Sequence, residues 1–334
     1  MKNTKHHYPG VDLVKFLMAV VVISIHTLPG DFFTNPISSG IYDFLCTNAV
    51  PFFFVSSGFL LAQRADRGTD GLKDAVVRSL KKFLKMYVLW MLIYSPLAIW
   101  DFYRSGRGLV TSILLYVHGF LLLGEHYNSW PLWYLLSTIY GLGFLYLLGR
   151  KKLPVKHIAL CGVIAFLFGS ALSCLFDHAD LLPGPLSSLA ALMSKVIFPG
   201  RILNGFHYMS MGMLAYHCRF SNKMGIFFMA LSGLSLLVQN ELLCIPLLLF
   251  SGLGIFVLAA NVRGWDKPVF PLLRKLSTVM YFLHMYVWTF YYAIVYGEKT
   301  FGADSFLATA AVCIILGLAC HFIPKKSAAK TVRA

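Results

Sequence analysis

At 334 residues the chain is 58% hydrophobic and only 13% charged, with a mean hydropathy of +0.69. Soluble chains carry about a quarter charged residues, so this balance excludes a soluble domain, and recurring long apolar stretches indicate a polytopic helical membrane protein. The net charge of +15 does not indicate a nucleic-acid binder, because Lys and Arg cluster in short loops between apolar segments, where they face anionic lipid.

An outer-membrane barrel would show short segments of alternating polarity, which are absent. The first apolar segment is too long for a signal peptide and lacks a clean small-residue cleavage site, so it reads as a retained helix. Spanning helices are expected near 11–29, 44–63, 82–103, 130–149, 157–176, 202–218, 224–239, 242–260, 276–296 and 305–323. Residues 109–124 (LVTSILLYVHGFLLLG) are also apolar. If they do not span and the N-terminus is cytoplasmic, only Arg104, Arg107, Lys195, Arg201 and Lys299 of the 29 Lys and Arg residues fall outside, with Lys15 inside helix 1. If they span, "GRKKLPVK" moves outside and the asymmetry is lost. The positive-inside rule therefore favours an all-α bundle of about ten spans with both termini cytoplasmic. Residues 109–124 are then re-entrant or surface-lying, tolerated where they pack on protein.

The stretch "QRADRGTDGLKDAVVRSLKKFLK" predicts an amphipathic basic helix with Lys81, Lys82 and Lys85 near the membrane surface. It suits lipid headgroups or a nucleotide-bearing polyanion. The seven cysteines (46, 161, 174, 218, 244, 313 and 320) form no CxxC pair and read as core residues, with neither a disulfide framework nor a metal site expected.

Polar residues inside apolar helices are costly and point to function. Helix 1 carries Asp12, Lys15 and His26. At 100° per residue Lys15 and His26 lie about 20° from three full turns, and Asp12 and His26 about 40° from four, so the three share one stripe. Asp12 and Lys15 are spaced i,i+3 and can pair. His26 has no such local partner, and its imidazole can take a proton from a hydroxyl or accept an acyl group. No nucleophile elbow, P-loop, HExxH or dinucleotide fingerprint occurs. In helix 2, "VPFFFVSSGFLL" places Pro51 in the backbone ladder and offers Ser56-Ser57-Gly58 for close helix approach. In "LSTVMYFLHMYVW", Ser277, Tyr281 and His284 at i, i+4 and i+7 share one face. In "FPGRILNGFHYMSMG", Arg201 and Asn204 lie one turn apart at an outer helix mouth, as an interfacial cap or an anion or sugar contact.

Together these segments resemble the integral-membrane acyltransferase 3 family. The resemblance rests on a basic residue, ten intervening residues and His in helix 1 (Lys15 and His26), on "VPFFFVSSGFLL", on the aromatic entry "SWPLWYLLS" and on the late Ser277, Tyr281 and His284. It covers essentially the whole chain, with 1–323 as one transmembrane domain and 324–334 as a basic cytoplasmic tail. The nearest branch is the membrane half of vancomycin-resistance serine racemases, to which Lys15 in place of Arg and the segment "RILNG" are similar. No soluble racemase domain is expected after the tail. Three features depart from the family pattern: Lys15 loses the bidentate fork of Arg, "WPLWYL" lacks the Glu of sugar-acetylating members although Glu125 lies upstream, and positions 47 and 48 hold no Arg.

The resemblance implies a bacterial cytoplasmic-membrane enzyme. It would move an acetyl or short acyl group from acyl-CoA, a donor substrate, to a hydroxyl of a cell-envelope glycan or lipid-linked acceptor, with no bound cofactor, no metal and no nucleic acid. His26 is the expected general base or acyl carrier, and Asp12 and Lys15 order the inner end of its stripe. Ser57 and Gly58 let helix 2 approach. Trp133, Arg201 and Asn204 meet the acceptor, while Ser277, Tyr281 and His284 face the reaction chamber. A transporter for a small amino-acid-like solute is the alternative, since broken helices with polar residues at mid-depth suit transport. A non-catalytic envelope-assembly protein is a third reading.

Overall fold

The computed structural model describes residues 8–67, 71–265 and 267–322; the expected tail at 324–334 and the terminal Lys2 and Lys5 lie outside these. Thirteen α-helices and no strand are found among the described residues. Seven helices are long and apolar enough to cross a membrane, or eight if one bent pair is counted as a single span. Among the described residues, two of the ten segments expected from the sequence, 224–239 and 276–296, fall short of that measure. The expected span at 224–239 is a 13-residue helix followed by a 3-10 turn, and the span near 276–296 is diluted by Tyr, Trp and His.

The chain divides into two compact units, Met1–Val11 with Phe33–Trp265, and Asp12–Phe32 with Asp266–Ala334. The smaller unit holds most of α1 (Pro9–Thr27), together with α12 (Val269–Val295) and α13 (Ala303–Phe322).

In the larger unit α2 (Pro36–Arg67) continues through Pro51 without ending. The helix α3 (Gly71–Arg104) opens with the expected amphipathic basic stretch: Ala75, Val76 and Ser79 are buried while Lys81, Lys82 and Lys85 are exposed. Next come α4 (Leu109–His118), α5 (Trp133–Arg150), α6 (Val155–Asp177) and α7 (Gly184–Val196). A 62° bend leads from α7 into α8 (Pro199–Cys218), which starts on a proline suited to a first helical turn. Helix α8 packs on α2, α5 and α6. Its approach to α2 depends on Gly58 and Gly212: a Cβ at Gly58 would lie 1.9 Å from the Met209 carbonyl oxygen, and one at Gly212 would lie 2.0 Å from that of Val55.

The helices α9 (Asn222–Leu234), α10 (Glu241–Leu248) and α11 (Leu253–Asn261) complete this unit, with Ser221 and Asn240 capping α9 and α10 through their side-chain oxygens. The break between α10 and α11 turns on Gly252, whose φ of +71° is the left-handed region that favours glycine. Such a break in an apolar helix needs partners for its exposed backbone. Tyr208 Oη donates to the Leu248 carbonyl (2.9 Å), His207 Nε2 donates to that of Leu249 (3.0 Å), and Gly252 N–H donates to Asn48 Oδ1 (2.7 Å).

Segment 109–124 is not one continuous α-helix. After α4, residues Gly119–Leu123 form a π-helical turn closed by Gly124 in the left-handed region. A π-turn loosens the backbone ladder, and its carbonyls find side-chain donors: Tyr87 Oη at Phe120 (2.5 Å), Tyr140 Oη at Leu121, and Arg201 Nη1 at Leu123 (3.1 Å).

Candidate functional site

In the smaller unit α1 carries His26 in its last turn, and α12 carries His284. The two imidazoles stack with ring centroids 5.5 Å apart and planes 28° apart. His284 is fully buried. A carbonyl oxygen can only accept, so the 2.7 Å contact between His284 Nδ1 and the Met280 carbonyl puts the ring proton on Nδ1. Nε2 then carries the lone pair, and it is buried with no hydrogen-bond partner. The structure thus brings His26 and His284 together from segments that the sequence analysis treated separately.

Near the start of the same stripe, buried Asp12 accepts from Arg274 Nη1 of α12 at 3.3 Å. A buried carboxylate needs such a cation, and Arg274 joins Lys15, the candidate suggested by the i,i+3 spacing. Lys15 is half-buried, one turn along α1. Ser277 Oγ donates to the Arg274 carbonyl (2.9 Å), which ties that hydroxyl to the helix backbone, and Tyr281 packs edge-on against Phe282 at 4.8 Å. The loop between α12 and α13 bends against the His26 end of this unit. Gly302 N–H donates to the Thr27 carbonyl (2.9 Å), and Trp288 Nε1 donates to that of Thr300 (3.1 Å). Lys299, which sequence reasoning missed, sets its ammonium 5.2 Å from the Trp288 ring centroid.

The larger unit holds the other expected residues. Ser57 Oγ donates to the Phe53 carbonyl (2.9 Å) and lies 3.1 Å from Tyr134 Oη. Gly58 is the close-contact position against α8 described above. Arg201 is anchored rather than free at an outer mouth. Its Nη1 lies 2.8 Å from Glu125 Oε2, and its guanidinium carbon lies 5.8 Å from the Trp133 ring centroid and 4.9 Å from that of Phe198. Burial raises the Glu125 carboxyl pKa, and the bonded Arg201 draws it back down. Asn204, one turn further along α8, has a buried Oδ1 with no hydrogen-bond partner.

Beside this cluster His126, also missed from the sequence, stacks on Tyr116 with centroids 4.3 Å apart and planes 17° apart. Burial pushes its pKa down to about 4, so the ring is neutral at ordinary pH. Gly119 makes room for it: a Cβ there would lie 2.4 Å from the His126 ring. Stacking of this kind has no sequence period. The only signal was the run "GEHYNSW" next to the tryptophan segment.

A pocket of about 440 Å³ also opens in the larger unit. Tyr8, Phe59 and Tyr216 line it with rings, and Gln63, Arg219 and Arg263 with donors. All seven cysteines are free. Cys174, His178 and Glu241 bring ligand atoms within 4.8 Å of one another, but His178 and Glu241 are exposed, and His178 Nδ1 donates to the Cys174 carbonyl.

Residues 8–323 match the family model described as "Acyltransferase domain". The chain is 28% identical over 162 residues to an amino-acid racemase of Enterococcus faecalis, covering 48% of this chain and 21% of that protein. It is 31% identical over 133 residues to a serine/alanine racemase of Enterococcus gallinarum, covering 40% and 18% respectively. The chain thus spans about a fifth of the length of the curated relatives it matches. No solved structure matches.

Proposed function

The chain belongs to this acyltransferase family, and on that premise we propose that it transfers acetyl or a short acyl group from acyl-CoA to a hydroxyl of a cell-envelope glycan or lipid-linked acceptor. The observation that carries the reading is the His26–His284 stack, with the His284 Nε2 lone pair left bare inside an apolar bundle. A buried imidazole pair without a structural partner at that nitrogen has the chemistry of a base. His26 takes the proton of the attacking hydroxyl, and His284, its tautomer set by Met280, orients and buffers the His26 ring. The Asp12–Arg274 pair holds the other end of α1 to α12 and keeps the stripe in register.

Donor binding is assigned to the pocket with Arg219 and Arg263. Guanidinium groups suit phosphate oxygens and the surrounding rings suit a nucleobase. Both arginines fall in loops that the charge distribution puts on the cytoplasmic side, where acyl-CoA is found. Trp133, Arg201 and Asn204 suit a hydroxyl-rich acceptor: an aromatic face, a charged donor and a buried amide oxygen that lacks a donor. In this topology both termini are cytoplasmic and His26 lies in the outer third of α1.

A second reading, a carrier of a small amino acid, is supported by the names of the racemase relatives and by the break between α10 and α11. One experiment separates the two. Detergent-purified protein is incubated with labelled acetyl-CoA, and CoA release and acyl capture are followed for wild type beside His26→Ala. Turnover lost in the variant supports acyl transfer. Serine uptake into proteoliposomes without CoA turnover would overturn it.

A further inference from the structure

The loop between α12 and α13 is a built element. Gly297, at φ +75°, turns the chain out of α12, and its N–H donates to the Tyr292 carbonyl (3.0 Å). Asp304, at the start of α13, accepts from Tyr291 Oη (2.9 Å) and Tyr296 Oη (2.6 Å). The Thr300 carbonyl accepts from both Trp288 Nε1 (3.1 Å) and Ser305 Oγ (3.2 Å). Gly302 N–H then reaches the Thr27 carbonyl, which belongs to the residue after His26. These bonds leave Lys299 little freedom. Its ammonium is held between the rings of Trp288 (5.2 Å) and Phe301 (5.5 Å). Trp288 lies one turn beyond His284 on α12, so the cation is presented on the same helical face as the imidazole pair.

We propose that Lys299 is a catalytic residue of the His26 centre, the cation that receives the negative charge formed on the thioester carbonyl oxygen during acyl transfer. This rests on the acyl-transfer reading above. In the step, the acceptor hydroxyl oxygen bonds to the thioester carbon and its proton passes to His26. The carbonyl π pair moves onto oxygen, beside the Lys299 ammonium. When that pair returns, the C–S bond breaks, and the CoA thiolate leaves with the proton held by His26. The products are an ester and free CoA thiol, with no electrons gained or lost. A fixed cation in a partly buried site stabilises such an oxyanion more than water does, because it need not reorganise as charge develops. Burial already lowers the Lys299 pKa, so the ammonium gains from any anion placed against it.

The test compares wild type, Lys299→Gln and Lys299→Arg, using acetyl-CoA with N-acetylglucosamine as the hydroxyl probe and following CoA thiol release. Lys299→Gln is expected to lower kcat by about 10²–10³ with KM nearly unchanged, the usual cost of removing one oxyanion donor, while Lys299→Arg recovers most of the rate. A Lys299→Gln enzyme with wild-type kcat overturns the proposal and leaves the acyl-transfer reading standing. A wild type that releases no CoA overturns both. Should Lys299→Gln fail to fold, a Lys299→Arg enzyme no faster than Lys299→Ala would equally overturn it.

Discussion

His284 in the smaller unit and His207 in the larger are both fully buried, and each spends one ring nitrogen on a backbone carbonyl and leaves the other without a partner. By burial and hydrogen bonding they are nearly identical. What differs is what surrounds them. His207 sits between the rings of Phe166 (4.8 Å) and Tyr208 (4.8 Å), and its bonded carbonyl, that of Leu249, lies where α10 breaks from α11. His284 instead faces a second, half-buried imidazole. A buried histidine is therefore no sign of catalysis in itself. A second imidazole against it distinguishes His284, whereas Tyr208 beside His207 spends its hydroxyl on the Leu248 carbonyl and His207 serves the backbone.

Substitutions can break or sharpen this contrast. The largest effect is expected from His26→Gln: CoA release should fall by about 10²–10⁴, as for loss of a general base, with the unfolding temperature in detergent nearly unchanged. Equal loss in His207→Phe would erase the distinction. Gly212→Ala comes next, since its Cβ would strike the Val55 carbonyl 2.0 Å away. Overpacking on this scale costs about 1–3 kcal/mol, read as a lowered unfolding temperature. His207→Phe strands the Leu249 carbonyl and should cost about 1–3 kcal/mol, with activity per folded molecule preserved within a few-fold.

The smallest effect extends the comparison to His126, whose pKa of about 4 lies below its ordinary value of 6.5. Between these values the unfolded chain binds the proton that the folded chain refuses. Stability is therefore complete above about pH 6.5 and declines as pH falls toward 4. Thermal unfolding across that window should show the decline, and His126→Gln should flatten it.

The sequence disclosed what periodicity and charge can carry. Uninterrupted α1 keeps Asp12, Lys15 and His26 on the stripe inferred from their spacing, and Gly58 marks the close helix approach that its small neighbours implied. Arg274 was legible but overlooked: it lies one turn before Ser277 on the stripe that runs to Tyr281 and His284. Lys299 and His126 were not legible, because loop geometry and ring stacking depend on residues far apart in the chain rather than on a repeat. The break at Gly252 escaped the sequence for a related reason: hydropathy sums over a window and cannot register a turn held open by the side chains of Asn48, His207 and Tyr208.

Asp12 and Arg274 are separated by 262 residues. Helix α1 leaves the ribosome well before α12. During synthesis the buried carboxylate of Asp12 must therefore wait in or beside the bilayer while all the intervening helices are made, and nascent chains lacking α12 carry His26 without His284. The pairing of the two imidazoles is therefore possible only once α12 has been made. A nascent chain arrested before residue 274 should thus insert its early helices and yet present a helix α1 that is poorly anchored and readily digested by protease.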